Sequence, residues 1–155
     1  MTMFFQGVQG NEAYYFSKIG TDFPSFFNSN RSTRVLDSWS VDNPNAVLPA
    51  LSTSIRNNES QPNSYFVEDA SYLRLRNLQI GYDFTLPSLG ITTARFYVQG
   101  TNVFTITNYQ GSEPEIGQGN SGDESNPPAG DLTIGVDGGR FPQPKSYILG
   151  LNFTF

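Results

Sequence analysis

From Pro144 to Phe155 the chain alternates residue by residue. Tyr147, Leu149, Leu151, Phe153 and Phe155 fill one set of alternate positions, while Ser146, Gly150, Asn152 and Thr154 fill the other, with Ile148 the one apolar exception. A period of two puts neighbouring side chains on opposite faces of a strand. The apolar and aromatic face of this strand therefore needs a cover, either a second protein layer or lipid. A greasy face backed by a small, polar one and closing on an aromatic residue is the pattern of a transmembrane β-barrel strand.

Three further stretches read as strands, giving about four in all: residues 1–8, 71–85, 92–107 and 144–155. In the second, Leu78, Ile80, Tyr82 and Phe84 alternate with Asn77, Gln79, Gly81 and Asp83, but Leu73 and Leu75 run in the opposite phase. A slip of one residue near Arg76-Asn77 predicts a β-bulge or a strand that rises above the lipid there, with Arg74 and Arg76 facing the lumen or water. In the third, Phe96, Val98, Gly100, Phe104 and Ile106 share a face, and Asn102 falls among them with no explanation in the pattern. The turn at 86–91, Leu-Pro-Ser-Leu-Gly-Ile, is tight. By contrast, 10–67 and 108–143 are long and rich in Pro, Gly, Asn and Ser. Short turns at one end and long loops at the other match periplasmic turns and extracellular loops of outer-membrane barrels. The predicted class is all-β: antiparallel strands of a large transmembrane barrel, forming an open sheet if isolated. Within the first loop, the aromatic clusters Ala13–Phe16 and Phe23–Phe27 suggest short helical turns.

Composition removes several function classes. The chain has no His and no Cys, so the usual general base, the thiolate nucleophile and the commonest metal ligands are missing. A net charge of −5 without a basic cluster argues against a nucleic-acid partner. The run Gly117-Gln118-Gly119-Asn120-Ser121-Gly122 fits a dinucleotide-binding pattern, yet no strand and helix flank it. Glu113, Glu115, Asp123, Glu124, Asp131 and Asp137 match no EF-hand spacing and read as solvated acid. Neither an enzyme nor a cofactor site is expected. No apolar run reaches the ~20 residues of a membrane helix, and Met1–Gly10 does not read as a signal peptide. A barrel reading therefore expects an export signal upstream of Met1.

The run Asp69-Ala70-Ser71-Tyr72-Leu73-Arg74-Leu75-Arg76-Asn77-Leu78, followed by Gly81-Tyr82, resembles the SusC/RagA family of TonB-linked outer-membrane transporters. So do Arg95 through Thr105, the loop Tyr109-Gln110-Gly111-Ser112-Glu113-Pro114-Glu115, and Phe141-Pro142-Gln143-Pro144 with the closing Gly150–Phe155. Upstream, Phe5 through Asn11 and Trp39 through Pro49 are similar as well. Where the family has Asp in its loop motif, this chain has Glu113. The resemblance implies the C-terminal portion of a plugged barrel of about 22 strands. It further implies TonB-driven import of an oligosaccharide or peptide under a SusD-like lipoprotein lid. Tyr147, Leu149, Leu151, Phe153 and Phe155 are then the expected lipid-facing and barrel-assembly signal. Trp39, Tyr109, Glu113 and Glu115 are candidates for ligand or lid contact. The competing reading is a secreted or cell-surface β-sheet module that binds carbohydrate, in which the same rings would be buried against another layer.

Overall fold

The computed structural model describes residues 1–26, 30–54, 58, 61–116 and 134–154. Four antiparallel strands form one sheet: β1 (Thr2–Val8), β4 (Tyr72–Leu86), β5 (Ile91–Thr107) and β7 (Ser146–Thr154), in the order β1-β4-β5-β7. Their β-branched and aromatic content suits extended backbone. The β4–β5 hairpin closes through a 3-10 turn at Pro87–Leu89, with Gly90 at φ 70 supplying the left-handed residue that ends it.

Cross-strand register sorts the side chains into two faces. Leu78, Gly100 and Tyr147 form one row, followed by Ile80–Val98–Leu149, Tyr82–Phe96–Leu151 and Phe84–Ala94–Phe153. Beyond the hairpin's midpoint, Leu75 lies between Phe5 and Phe104, whose rings meet edge-on at 6.4 Å. Apart from the buried Leu75 and Ala94, this face is open: Tyr147 is 68% exposed and Leu149 73%. Gln79, Gln99 and Ile148, with Asp83, Arg95 and Asn152, occupy the opposite face.

The phase slip is a paired bulge. Asn77 pairs with Thr101 and Leu75 with Phe104, so β4 advances two residues while β5 advances three. The ladder to β1 shifts at the same level, between Phe4 and Phe5. Asn102, unexplained by alternation, is the extra residue of β5. Its φ of 51 takes it into the left-handed region, which Asn tolerates better than most side chains. It is buried, and it lies beside Arg76 on the polar side.

The described residues of the long connections include strands and a helix. β2 (Glu12–Tyr15) pairs antiparallel with β3 (Val67–Asp69) and parallel with β6 (Val136–Asp137), so both connections contribute to a second, three-stranded sheet. The expected helical turn at Ala13–Phe16 is thus a strand. Its alternation hides Ala13, and the Tyr14 amide donates to the Gly135 carbonyl at 2.8 Å. The helix α1 (Lys18–Asp22) follows instead, and Pro24–Phe26 is a turn. Phe27 lies outside the described residues. Ile19, Phe23, Leu48 and Phe66 make one core, packed by Tyr14, Phe26 and Tyr65. Ala13, Ala70 and Tyr109 make another with Tyr15 and Ile116. We call this layer the cap. It joins the sheet at the end away from the hairpin, where Thr107 Oγ1 donates to the Ser71 carbonyl and the Gly10 amide donates to Ser71 Oγ.

Candidate functional site

Arg74 and Arg76 sit two positions apart on β4, and Glu113-Pro114-Glu115 repeats that spacing in the connection after β5. Both arginines reach the polar face, and both glutamates meet them. Arg74 ion-pairs with Glu113 and, at 3.2 Å, with Glu115, and its Nε donates to Thr105 Oγ1 at 2.8 Å. Arg76 pairs with Glu115 and donates through Nε to Gln6 Oε1 at 2.7 Å and through Nη1 to Asn102 Oδ1 at 3.3 Å. Glu113 also accepts the amides of Glu115 (3.1 Å) and Gln143 (2.9 Å). Arg74 is 2% exposed and Glu113 3%, so each buried charge has a partner at hand, as burial of charge demands.

A second cluster lies inside the cap. Arg34 grips Asp22 with two bonds of 2.9 Å, Tyr65 donates to the same carboxylate at 2.5 Å and Thr21 at 3.0 Å. Burial alone raises the Asp22 pKa, but the bonds from Arg34, Tyr65 and Thr21 and the Arg34 charge outweigh it and hold the carboxyl below its ordinary range. Burial pushes the Tyr65 phenol up, and its bond to Asp22 adds to the rise. Arg34 continues to Gln110 at 2.8 Å, linking the two long connections. Nearby, Lys18 ion-pairs with Glu68.

The candidate contact residues separate on this geometry. Trp39 is 46% exposed and lines an open groove of about 720 Å³ with Phe23, Val47, Leu48, Pro49 and Tyr65. Val47 in this lining is exposed, as are Leu36, Val41 and Leu51 nearby in sequence. Tyr109, by contrast, is buried; its ring packs 5.6 Å from Tyr15 and its hydroxyl donates to Asp137 at 2.6 Å. Burial, and then that bond, raises its pKa. Glu113 is buried under the ion pairs, and Glu115 is partly open. Neither Tyr109 nor Glu113 therefore presents a surface to a ligand or lid, because each closes an internal polar contact. Tyr147, Leu149, Leu151 and Phe153 stand on the open apolar face. Phe155 lies outside the described residues, as does the glycine-rich run Gly117–Gly122. The shared two-residue spacing of the Arg and Glu pairs was a readable signal for the lattice; nothing local announced the Asp22–Arg34–Tyr65 cluster.

An antiparallel sheet with one largely open apolar face, a polar face carrying an ion-pair lattice, a tight turn at one end and a cap at the other defines a stretch of receptor β-barrel. The comparisons agree. No family model matches the chain. It is 32% identical over 160 residues to TonB-dependent receptor P3 of Formosa agariphila, an alignment covering 100% of the chain and 15% of that receptor. It is 27% identical over 118 residues to TonB-dependent receptor SusC of Bacteroides thetaiotaomicron, covering 72% of the chain and 10% of SusC. Solved structures of the RagAB peptide transporter superpose at 25% identity with a TM-score of 0.76, and 0.73 and 0.75 for its open-open and closed-closed states, over 99% of this chain and 15% of theirs. The chain belongs to the SusC/RagA family of TonB-dependent receptors. It spans about 15% of the length of the curated relatives it matches over its whole extent.

Proposed function

We propose that this chain supplies a stretch of wall and part of the outer mouth of a TonB-dependent importer in the bacterial outer membrane. The cargo is a large nutrient, oligosaccharide or peptide, and the importer works with a SusD-like surface lipoprotein. The observation that carries the reading is the apolar face running from Leu75 to Phe153, open except at the buried Leu75 and Ala94, on a sheet that matches receptor barrels throughout. Lipid covers that face, and the polar face with Arg74 and Arg76 lines the lumen. The hairpin turn at Pro87–Leu89 is then periplasmic and the cap extracellular. A binding module would need a second layer over Tyr147 and Leu149, and no described residue provides one. The nearly equal match to the open-open and closed-closed forms of the peptide importer supports a segment that keeps its shape while other parts move.

The exposed Leu36, Trp39, Val41 and Val47 give the lipoprotein an apolar seat on the cap. TonB acts through a plug contributed from elsewhere in the receptor, and the strand Ser146–Thr154 is read by the barrel-assembly machinery. Fractionation of the full-length receptor tests the reading: it should sediment with outer membranes, and its lipoprotein should co-purify with it. Recovery in the soluble fraction refutes the importer. Co-purification undiminished by Trp39→Ala together with Val47→Asp refutes the seat.

A further inference from the structure

We infer that the lattice of Arg74, Arg76, Glu113 and Glu115 is a permanent strut, fixing the arm from Asn108 to Ile116 as part of the inner wall in every state of the importer. The inference rests on the importer reading and adds which part of its mouth stays still. Four features carry it. The two guanidinium and two carboxylate groups balance in charge, and Nε, Nη1 and Nη2 of each arginine have partners, so the cluster is closed without a ligand. The partners come from three strands at once: Gln6 on β1, the arginines on β4, Asn102 and Thr105 on β5. Releasing the arm therefore exposes or strands several buried charges together.

The returning arm is braced to the same place. The Gln143 amide donates to Glu113, Asn102 Nδ2 donates to the Pro144 carbonyl at 3.0 Å, and Tyr109 holds Asp137. Finally, the sheet bends to make the site. The paired bulge turns Arg76 and Asn102 to the polar face, and Asn102 accepts a left-handed backbone to bond Arg76 on one side and Pro144 on the other. Backbone outliers persist where the surroundings over-determine them.

The test is pulsed-EPR distance measurement on the full-length receptor in outer-membrane vesicles, spin-labelled at Ser112→Cys and Leu149→Cys. A control pair, Met3→Cys with Phe153→Cys, lies within the sheet on its two outer strands. The arm pair should give one peak no broader than the control, unchanged when the lipoprotein partner is bound. Arg74→Gln should broaden the arm pair and leave the control narrow; if that variant does not assemble, the less buried Glu115→Gln should do the same. A broad or two-peaked arm distribution in the parent receptor overturns the strut, as does a peak that moves with the partner or stays narrow in the assembled variant. The peak width is read without cargo or uptake, so a failed importer reading shows separately, as a receptor absent from the outer membrane.

Discussion

An arginine placed at Leu149 measures directly whether lipid touches the apolar face. The depth of that position follows from the structure. On β4 the apolar rows run from Phe84 to Leu75, nine residues by number (84 − 75), with Ile80 between them. At about 3.3 Å per residue this is ~30 Å along the strand, and a tilt of about 35–45° leaves ~21–24 Å of height. That height is close to the apolar band of about 25 Å expected of an outer-membrane barrel. Ile80, Val98 and Leu149 are one cross-strand row near its middle, whereas Phe84, Ala94 and Phe153 are the row at its edge. A cation on the lipid face costs about 2–4 kcal/mol at the midplane and about 0–1 near the interface.

Leu149→Arg is therefore expected to destabilise the full receptor by about 2–4 kcal/mol, and Phe153→Arg by about 1 kcal/mol or less beyond the packing it loses. Gln99→Arg sits one position from Val98 on the opposite face and breaks only two amide bonds of 3.3 Å, so it should cost at most about 1 kcal/mol. Guanidinium titrations of the receptor folded into phosphatidylcholine vesicles, followed by tryptophan fluorescence, give the three midpoints. Equal losses for Leu149→Arg and Gln99→Arg would refute the assignment of faces. A larger loss at Phe153 than at Leu149 would refute the depth.

Three further outcomes test the cap and two closely packed glycines, Gly111 in the second long connection and Gly150 on β7. Phe66, 0% exposed with the Tyr14, Phe23 and Tyr65 rings 5.4–5.9 Å away, should lose about 3–5 kcal/mol of cap stability as Phe66→Ala; hydrogen exchange should speed up in the cap and not in the sheet. The Asp22 carboxyl is depressed in the folded cap, so the unfolded chain binds the proton more readily. Its contribution is present above the ordinary carboxylate value of about 4 and lost as pH falls through the lower folded value. Limited proteolysis of the cap should accelerate on acidification across that range, and Asp22→Asn should flatten the dependence. Gly111→Ala would set a Cβ 2.3 Å from the buried Tyr109 ring and 2.7 Å from Asp137, costing about 1–3 kcal/mol. Gly150→Ala meets the far end of the Tyr97 side chain, which can swing aside, so thermal melting should separate the two variants clearly.

The sheet was legible because its signal is local. Alternation in Tyr147–Phe153 and Leu78–Phe84 needs no knowledge of a partner, and the phase reversal at Arg76 announced the bulge from within one strand. Asn102 was not legible, because a left-handed residue in β5 satisfies contacts to Arg76 and to Pro144 that lie in other parts of the sequence. The cap was hidden for the same reason on a larger scale. Tyr14 becomes a strand by bonding Gly135 and pairing with Val136, and local propensity yields to such distant pairing.

This difference bears on how the two candidate contact sets divide. Residues that answer a distant buried partner, Tyr109 to Asp137 and Glu113 to Arg74, look from sequence like free aromatic and acidic loop residues, yet each is consumed in joining segments. Trp39 has no such side-chain partner among the described residues and remains half in solvent beside exposed aliphatic groups. The distinction rests on burial, which a pattern of residue types in a long connection does not encode. A loop that folds on its own side chains thus withdraws its strongest polar residues from recognition. Between Leu36 and Leu51 it leaves the exposed side chains of Leu36, Trp39, Val41, Val47 and Leu51 among those of Asp37, Ser40, Asp42 and Asn45, and apolar groups rimmed by polar ones suit a protein partner more than a soluble cargo.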